Sequence, residues 1–556
     1  MSTLKPKLFS VIKGYTSAQC VKDITAGIIV AIIALPLSIA LALASGVAPE
    51  QGLYTAIVAG FIISFLGGSR VQIAGPTAAF ASIVAGIVAK NGMNGLVVAT
   101  ILAGIFLIIM GLLRLGSLIR FIPYTITTGF TFGIAITIVI GQIKDFLGLT
   151  FTTSPIETVE KVEAVADSLH TMNFMALVIG VVALAILIVW PKFFKKVPAS
   201  LVAVIVSAGL VQVLDLKVNT IGDLYEISSS LPKLDVPNID YATVRRVLPD
   251  AFTIAVLAAI ESLLSCVVAD GMIGSKHNSN MELVAQGVGN TFSALFGGIP
   301  ATGAIARTAA NIKNGGRTPI AGMVHAVVLL LILVFLMPYA ALIPMPAIAA
   351  ILFMVAYNMS EWKQFVQIIK TSPKSDIIVL VTTFTLTVVF DLVVAIGVGL
   401  VLAALLFMKR MADVTDVNSW IYIEDEEQSN GVEEMDPDYI GLKSVPMNTL
   451  VYEVTGPMFF GAAEKFTDVL LDVDEKKDVI ILRMRSVPAM DVSGLNGLIS
   501  LEKRCRKNQI TLVLSHVNEQ PMSVMKKAGF DSLVGADNIC TNIDAALERA
   551  QQIVSA

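Results

Sequence analysis

Charged residues are scarce in this chain. Of its 556 residues, 15% are Asp, Glu, Lys or Arg, whereas soluble domains carry roughly 25%. The formal net charge of −4 also lacks the basic excess that is typical of nucleic-acid-binding proteins, so no nucleic-acid partner is expected. Apolar residues make up 55% of the sequence and gather in long stretches between Asp23 and about Met408. Since many of these stretches approach the roughly 20 residues that span a bilayer, we predict a polytopic α-helical membrane protein.

Residues with catalytic or metal-binding chemistry are also few. The chain has four histidines and four cysteines, and Cys20, Cys266, Cys505 and Cys540 show neither metal-ligand nor disulfide spacing. No nucleophile–base arrangement and no Walker-type phosphate loop emerges from the sequence. We therefore predict that the protein is not an enzyme and has no catalytic residues, no metal, no cofactor and no ATP-driven step.

Fourteen apolar stretches can be counted along the chain. They begin near residues 24, 52, 71, 95, 121, 172, 198, 251, 282, 300, 318, 340, 375 and 391, and the third and tenth are short or interrupted. If the N-terminus is cytoplasmic, the loops on that side contain Arg70, Arg114, Arg120, Lys192, Lys195, Lys196, Lys276, Lys313, Arg317, Lys363, Lys370 and Lys374. Because positive residues concentrate in cytoplasmic loops, we predict fourteen spans with both termini in the cytoplasm.

The composition changes after Arg410. Residues 411–447 are polar and acidic, which is typical of a linker. The apolar runs 449–455, 478–485 and 509–516 then predict buried strands, each followed by an amphipathic helical stretch. Such alternation indicates a small α/β domain. We divide the chain into a cytoplasmic N-terminal segment, a transmembrane domain, a linker and a cytoplasmic α/β domain, at residues 1–22, 23–410, 411–447 and 448–556.

An offset of 225 residues aligns features of the two halves of the membrane domain. It places Thr77 on Thr302, Gly46 on Gly271 and Pro36 on Glu261. With seven spans in each half, the second half enters the membrane from the opposite face. This 7+7 arrangement is an inverted-topology repeat, a construction that many secondary transporters share.

The Pro/Gly/Thr segments of the third and tenth spans fall on each other in this alignment. Residues 74–79 read AGPTAA, and residues 299–304 read IPATGA. Proline and glycine interrupt a helix, and such a break at membrane depth is tolerated where it lines a cavity. Two half-helices that begin after the breaks direct their N-terminal N–H groups at the midplane, which favours an anion. The alternative is a pair of proline kinks that serve packing alone.

Two charged residues lie near these breaks. Glu261 is ten residues into an otherwise apolar span, where a charged side chain marks an ion path or a proton relay. A structural hydrogen bond to a neighbouring helix is the alternative. Arg307 follows the second break and has three interpretations: a fixed positive charge facing the anion, a partner of Glu261, or a side chain that extends to the cytoplasmic interface.

The residues now described resemble the SulP family of anion transporters, the sulfate-permease-like group. The resemblance is carried by DITAGIIVAIIALPLSIALALASGVAPEQGLYTAIVAG (23–60), GGSRVQIAGPTAAF (67–80), AAIESLLSCVVADGM (258–272) and GGIPATGAIARTAANIKNGGRTPIAG (297–322). Within the family, GMIGSKHNSNMELVAQGVGN (271–290) and VAYNMSEW (355–362) are similar to the aerobic C4-dicarboxylate transporters of bacteria. The resemblance implies a fold like that of uracil permease, with a core domain moving against a gate domain in a homodimer. It also implies a multi-pass protein of the bacterial cytoplasmic (inner) membrane that works by an elevator-type motion.

The resemblance also assigns residues. The substrate motif of the family falls on Gln72, Ala74, Thr77 and Ala78 and, in the second half, on Ala301, Thr302, Gly303 and Ala304. Glu261 matches the acidic position that is linked to coupling by a proton or sodium. Sodium-coupled bicarbonate members have an aspartate there, so the glutamate favours protons.

The C-terminal segment resembles a STAS domain, with Asp491-Val492-Ser493-Gly494 before a helix. Related anti-sigma-factor antagonists are phosphorylated on a serine directly after the aspartate, where this chain has Val492. The resemblance therefore implies a helix N-cap and a regulatory contact surface at Asp491 and Ser493, open to a cytosolic protein partner.

Together these observations predict secondary active transport. The leading hypothesis is proton-coupled symport of a dicarboxylate similar to succinate or fumarate, or of an inorganic anion such as sulfate. The alternatives are a sodium-coupled bicarbonate transporter, an uncoupled anion channel or exchanger, and a sensor that reports anion binding through the STAS domain.

Overall fold

The computed structural model describes residues 4–117, 123–152, 155, 157–194, 197–390, 392–414, 416–420, 444–459 and 477–555. The chain divides into two compact units, Met1–Leu400 and Val401–Ala556. Arg120, Lys195 and Lys196, together with most of the expected linker, lie outside the described residues.

The first unit is helical. Its first helices, in chain order, are α1 (Lys7–Val11), α2 (Ser17–Ala44), α3 (Pro49–Leu66), α4 (Ala78–Leu112), α5 (Tyr124–Leu147), α6 (Thr158–Ser168), α7 (Phe174–Phe193), α8 (Ala199–Val213) and α9 (Ile221–Leu224). The helices that follow are α10 (Tyr241–Ile273), α11 (Ser279–Leu295), α12 (Ile305–Lys313), α13 (Ile320–Ala340), α14 (Met345–Ser360), α15 (Trp362–Thr371), α16 (Lys374–Val389) and α17 (Leu392–Val414), the last of which crosses into the second unit.

Side-chain caps fix the starts of several of these helices. Asp240 accepts a hydrogen bond from the backbone of Thr243 at the start of α10, and Asn278 accepts one from Met281 at the start of α11. Such caps satisfy backbone donors that have no partner within the helix. Helix α10 therefore begins at Tyr241, ten residues before the expected start of its apolar stretch at residue 251.

Gly92 breaks α4 into two helical pieces. Its dihedral angles, φ 67° and ψ −176°, lie in a region that is essentially restricted to glycine. The piece from Ala78 to Asn91 corresponds to the interrupted third apolar stretch, and the piece after Gly92 begins close to the expected start of the fourth, at residue 95.

Small residues let the helices of the first unit pack closely. A Cβ atom on Gly27 of α2 would lie 2.6 Å from the carbonyl oxygen of Ala321 on α13. Likewise, a Cβ atom on Gly287 of α11 would lie 2.4 Å from the carbonyl oxygen of Gly104 on α4. Backbone can approach backbone only where side chains are absent, so Gly27 lets α2 and α13 pack closely and Gly287 does the same for α11 and α4.

Among the described residues, eight helices are long and apolar enough to cross a bilayer. They are α2, α3, α4, α5, α7, α10, α13 and the Val394–Val414 part of α17. Each expected apolar stretch coincides with a helix or a half-helix, while the fourteen-span topology and the inverted repeat stay predictions.

The second unit contains a five-stranded sheet. Its strands, which have the same order in the chain and in the sheet, are β3 (Asp416–Trp420), β4 (Thr449–Thr455), β5 (Val479–Ser486), β6 (Thr511–Ser515) and β7 (Ile539–Cys540). Strands β4, β5, β6 and β7 are parallel, and β3 is antiparallel to β4. Three of them coincide with the expected runs, whereas β3 lies inside the segment 411–447 that was expected to be a linker.

Helices cover this sheet. They are α18 (Val492–Lys507), α19 (Glu519–Lys527), α20 (Phe530–Val534) and α21 (Ile543–Val554). One core cluster joins the sheet to α18 through Leu482, Leu498 and Leu514, and a second joins it to α21 through Ile481 and Leu547. Successive residues of β5 point to opposite faces of the sheet, and both faces are apolar. This is typical of parallel sheets that are covered by helices on both sides.

Candidate functional site

Two extended segments meet inside the first unit. Strand β1 (Ala74–Gly75) pairs antiparallel with β2 (Thr302–Gly303), with Ala74 opposite Gly303 and Gly75 opposite Thr302. Both segments belong to the interrupted apolar stretches, so the expected breaks in the third and tenth stretches are confirmed. Their backbones satisfy each other, which is what permits irregular backbone away from water.

A helix begins directly after each strand. Thr77 is the N-cap residue of α4 and Ala304 is that of α12, and neither side chain caps the first turn. The first N–H groups of a helix have no intrahelical partner and together carry roughly half a positive charge. Both helix starts therefore present donors that suit an anion.

Helix α10 supplies a side chain to each half of this arrangement. Thr77 donates its hydroxyl to Glu261 Oε2 at 3.0 Å. The next residue, Ser262, shares a 2.7 Å hydrogen bond with the hydroxyl of Thr302 and accepts one from the backbone of Gly303 at 3.1 Å. Adjacent residues of one helix thus contact the two threonines that the 225-residue offset aligns.

The site is accessible on one side. Thr77 and Glu261 are partly exposed, and Ile305 at the first position of α12 is 39% exposed. In contrast, Thr302 and Ser262 are fully buried. The Thr77 and Glu261 side of the site is therefore the less buried one, while the Thr302 side is part of the packed interior.

Arg307 lies in the first turn of α12 and is 4% exposed, so it does not extend to the membrane interface. Its Nη2 donates to the carbonyl oxygen of Pro76, just before the start of α4. Its Nη1 is buried without a hydrogen-bond partner, and within the described part of the chain Arg307 forms no ion pair with Glu261. The guanidinium therefore places a fixed positive charge behind β1.

Gln72 is held by the protein itself. Its Nε2 donates to Glu282 Oε1 at 2.9 Å, and its Oε1 accepts from the thiol of Cys266. Both ends of the amide are thus occupied. A Cβ atom on Gly303 would lie 2.2 Å from Gln72 Nε2, so the glycine makes room for this side chain.

Glu282 was not anticipated as part of this region. Its carboxylate is fully buried and accepts hydrogen bonds from the backbone N–H groups of Gly68 and Ser69, at 2.8 and 3.1 Å, as well as from Gln72 and Gln286. In the sequence it is an acidic residue in the first turn of α11, which is an ordinary position for one. Three of its partners lie more than 200 residues away, so no local pattern could reveal them.

Asparagine side chains fix the segments before β1 and β2. Asn290 donates to the carbonyl oxygen of Ala301 at 2.9 Å and accepts from its N–H at 2.8 Å. Asn311 of α12 donates to the carbonyl oxygen of Val71 at 2.8 Å. These two amides satisfy backbone groups that a helix would otherwise satisfy, and they too were missed in the sequence.

The remaining motif residues have small side chains. Ala74, Ala78, Ala301 and Ala304 are all buried, two of them completely. Ala304 donates its N–H to the carbonyl oxygen of Ile73 at 2.8 Å. Their small volume allows the close approach of β1, β2 and α10, and contact with a solute at these positions would be through the backbone.

In the second unit, Asp491 is the N-cap of α18 and accepts a hydrogen bond from Gly494 N–H at 2.9 Å, as the sequence predicts. Gln520 braces the same loop with two hydrogen bonds to the backbone of Met490, at 2.7 and 3.0 Å. Val492 is 69% exposed and Ser493 is partly exposed. The loop is therefore rigidly held and accessible.

Comparison with known proteins places both units in families. Residues 21–383 match the sulfate permease family, and residues 442–546 match the STAS domain. The chain is 39% identical to YvdB, a candidate sulfate transporter of Bacillus subtilis (strain 168), over 96% of this chain and 98% of that protein. It is 34% identical to the bicarbonate transporter BicA of Picosynechococcus, over 85% of this chain and 84% of that protein.

Solved structures agree with this assignment. The transmembrane domain of a cyanobacterial BicA matches with a TM-score of 0.61 at 31% identity, covering 70% of this chain and 98% of that chain. Murine Slc26a9, solved in an inward-facing state, shares the fold with a TM-score of 0.87 at 17% identity, over 99% of this chain and 94% of that chain. The chain therefore belongs to the sulfate permease (SulP) family of anion transporters, contains a STAS domain after its membrane domain, and is a multi-pass membrane transporter, not an enzyme.

Proposed function

We propose that the chain is a proton-coupled symporter in which a small anion binds at the starts of α4 and α12 and the proton binds to Glu261. The observation that carries this proposal is the 3.0 Å hydrogen bond between Thr77 and Glu261, which joins an acidic residue at the site to the N-cap of α4. A proton on Glu261 offsets one negative charge of the incoming solute. Proton and anion thereby favour each other's binding.

The positive charge for the anion has two sources. One is the pair of uncapped helix starts after Thr77 and Ala304. The other is the buried guanidinium of Arg307, whose charge is not neutralised by a carboxylate among the described residues. Since Glu261 in its ionised form would oppose an anion, its protonation is the step that makes the site uniformly attractive.

For the substrate we propose sulfate or a C4-dicarboxylate such as succinate or fumarate. The motif residues around β1 and β2 are Ala, Gly and Thr, which give hydroxyl and backbone donors for oxygen atoms of either. YvdB, named for sulfate transport, supports the first. The dicarboxylate proposal is supported by the resemblance of residues 271–290 and 355–362 described above.

The test is uptake into proteoliposomes. The purified full-length protein is reconstituted with a pH gradient, acidic outside, and labelled sulfate, succinate and bicarbonate are supplied separately. We expect accumulation of sulfate or succinate that disappears when a protonophore dissipates the gradient. Absence of uptake of all three anions would contradict the proposal.

Sodium-coupled bicarbonate transport is the second candidate, and the 34% identity to BicA favours it. The same vesicles distinguish the two functions. A sodium gradient at equal pH would drive bicarbonate accumulation by a sodium-coupled transporter and would not drive accumulation by a proton-coupled one. An uncoupled exchanger would equilibrate label without accumulating it under either gradient, and a channel would conduct large unitary currents in planar bilayers.

We further propose a homodimer in the bacterial inner membrane that works by an elevator-type motion, and a STAS domain that regulates it through a cytosolic partner at Asp491 and Ser493. The fold shared with Slc26a9 supports the core and gate arrangement. Crosslinking in native membranes should give a band at twice the monomer mass. Deletion of residues 440–556 should alter the rate of transport without changing which anion is carried.

A further inference from the structure

A cationic cavity lies beside the N-terminal helix, away from the transport site. It encloses about 500 Å³ and is lined by residues from three distant parts of the chain, among them Lys7, Tyr15, Gln19, Arg70 and Arg317. Three of its lining residues are basic and none is acidic. A cavity of this size holds a ligand with several non-hydrogen atoms.

Asp23 is not a lining residue of this cavity but holds together the segments that line it. The carboxylate is fully buried and accepts hydrogen bonds from Gln19 at 2.9 Å, from the backbone of Arg317 at 2.8 Å and from the hydroxyls of Tyr15 and Thr318. These hydrogen bonds hold the segment after α12 against the start of α2. The basic side chains are left to face the cavity without an acidic lining residue.

Each of the three basic residues has N–H groups that can donate hydrogen bonds to a ligand in the cavity. Arg70 has a buried Nε with no hydrogen-bond partner among the described residues. Arg317 is exposed and is fixed at Nη1 by the carbonyl oxygens of Ile312 and Gly316. Lys7 donates to the carbonyl oxygen of Lys276 at 2.9 Å, which anchors its ammonium group and leaves two further protons for an acceptor.

Apolar side chains surround the same end of the unit. Phe9 and Ile12, from α1 and the turn after it, are 46% and 50% exposed. The ring of Phe9 lies 6.1 Å from that of Phe65, which stacks on Phe61 at 6.5 Å. Val21, at the start of α2, is 65% exposed. Basic groups that line a polar cavity next to exposed aromatic and aliphatic residues suit a ligand with an anionic head and an apolar tail.

We propose that this cavity binds a phosphate group, through charge-assisted hydrogen bonds from Lys7, Arg70 and Arg317. Two sources share this chemistry: the headgroup of an anionic glycerophospholipid and a soluble phosphate ester. The apolar residues beside the cavity favour the lipid. The site is separate from Glu261 and Thr77, so the proposal does not depend on which anion is transported.

The test measures ligand binding to the purified full-length protein in detergent. Dioctanoyl phosphatidylglycerol, dioctanoyl phosphatidylcholine and glycerol 3-phosphate are titrated separately, with thermal unfolding and thermophoresis as readouts. For the wild type we expect saturable binding of the phosphatidylglycerol, with an increase in the unfolding temperature, and no such effect of the phosphatidylcholine. Equal binding of glycerol 3-phosphate would overturn the lipid source while supporting the phosphate site.

Two double variants complete the experiment. Arg70→Gln with Arg317→Gln should weaken phosphatidylglycerol binding roughly tenfold or more, because two charge-assisted contacts are lost. Lys217→Gln with Lys233→Gln removes the same charge from exposed positions elsewhere and should leave the dissociation constant unchanged. The single variant Lys7→Gln should have an intermediate effect. Binding that is undiminished in the Arg70/Arg317 variant, or no binding of either phosphate compound to the wild type, would overturn the proposal.

Discussion

Glu261 and Glu282 are both carboxylates in apolar surroundings, yet their partners differ. Glu261 is partly exposed and has one hydroxyl partner, Thr77. Glu282 is fully buried and accepts hydrogen bonds from two backbone N–H groups and two side-chain amides. A carboxylate with a single hydroxyl partner can exchange a proton without loss of several hydrogen bonds, whereas one that accepts from four donors serves as a structural group. These two roles give separate predictions.

Replacing Glu261 by Gln should abolish accumulation driven by a pH gradient. The Gln carbonyl oxygen still accepts the hydroxyl of Thr77, so the site keeps its shape while it loses the group that binds the proton. We expect gradient-driven uptake to fall roughly tenfold or more, to the level without a gradient, while exchange of internal for external anion continues. Glu163→Gln, at an exposed position of α6, is the control. Unchanged accumulation in Glu261→Gln would remove this residue from coupling.

Replacing Glu282 by Gln should lower stability instead. The Gln side chain presents an NH₂ group where Glu282 accepts hydrogen bonds, so at least one of the buried donors of Gly68, Ser69 and Gln72 is left without an acceptor. Leaving such a group unsatisfied costs roughly 1–3 kcal/mol. The unfolding temperature of the detergent-solubilised protein should therefore fall, with no change for Glu163→Gln. A variant as stable as the wild type would show that the four donors find other partners.

Cys505 in the second unit should be unreactive. It is 1% exposed, and burial, together with the nearby charge of Glu502, raises the pKa of its thiol to about 12. The thiol is therefore neutral in the folded state. The free energy of unfolding is unaffected by this group below the ordinary thiol pKa and falls as the pH rises toward 12, because the thiol ionises more readily in the unfolded chain. We expect N-ethylmaleimide at about neutral pH to leave Cys505 unlabelled until denaturant is added, as read by peptide mass spectrometry. Labelling of the folded protein within minutes would contradict this.

At the scale of elements, the antiparallel pairing of β1 with β2 depends on glycine. Gly303 faces Gln72, and no side chain fits between them, since a Cβ atom would lie 2.2 Å from the amide nitrogen. The amide of Gln72 in turn links this strand to Glu282 of α11. We therefore expect displacement of the Gln72 side chain to disturb the packing of β1 and β2.

The variant Gly303→Ala should accordingly lose transport. The added methyl group pushes Gln72 away from Glu282 and separates β2 from β1. Gly86→Ala is the matched control, because Gly86 lies inside α4, a Cβ atom added there would meet no heavy atom within 4 Å, and alanine favours helix. We expect uptake near background for Gly303→Ala and wild-type uptake for Gly86→Ala. Similar activity of the two variants would mean that the pairing of β1 with β2 tolerates the displacement of Gln72.

The sequence predicts these elements well and their side-chain contacts poorly. The breaks at residues 74–79 and 299–304 follow from Pro and Gly in apolar surroundings, and the 225-residue offset aligns Thr77 with Thr302. Nothing local, however, indicates that Asn290 holds Ala301 by both backbone groups or that Asn311 reaches Val71. Periodicity reports which residues lie in helices, while hydrogen bonds between distant segments depend on how the helices pack.

The same limit applies to Arg307. Its sequence position is compatible with a fixed charge at the site, a pair with Glu261 or an interfacial side chain. The structure excludes the interfacial position, because the guanidinium is buried against the carbonyl oxygen of Pro76. The deciding fact is the proximity of α12 to the segment before α4, although Arg307 and Pro76 are 231 residues apart in the chain.

At the scale of the whole molecule, the distribution of Lys and Arg makes a topological prediction. Fourteen spans with a cytoplasmic N-terminus place the STAS domain in the cytoplasm. Green fluorescent protein fused after residue 556 should be fluorescent in bacterial cells, and alkaline phosphatase at the same place should be inactive. Fusions within residues 214–240, between α8 and α10, should behave in the opposite way. Identical behaviour at the two positions would contradict the fourteen-span arrangement.

The placement of Glu261 and Ser262 side by side on α10 makes the two halves of the site chemically unequal. The threonine of one half is bound to an ionisable acid and the threonine of the other to an alcohol. Acidification can therefore change the first contact and has no titrating group to act on in the second. Two neighbouring residues of one helix thus give the Thr77 contact a titratable side chain and the Thr302 contact a hydroxyl group.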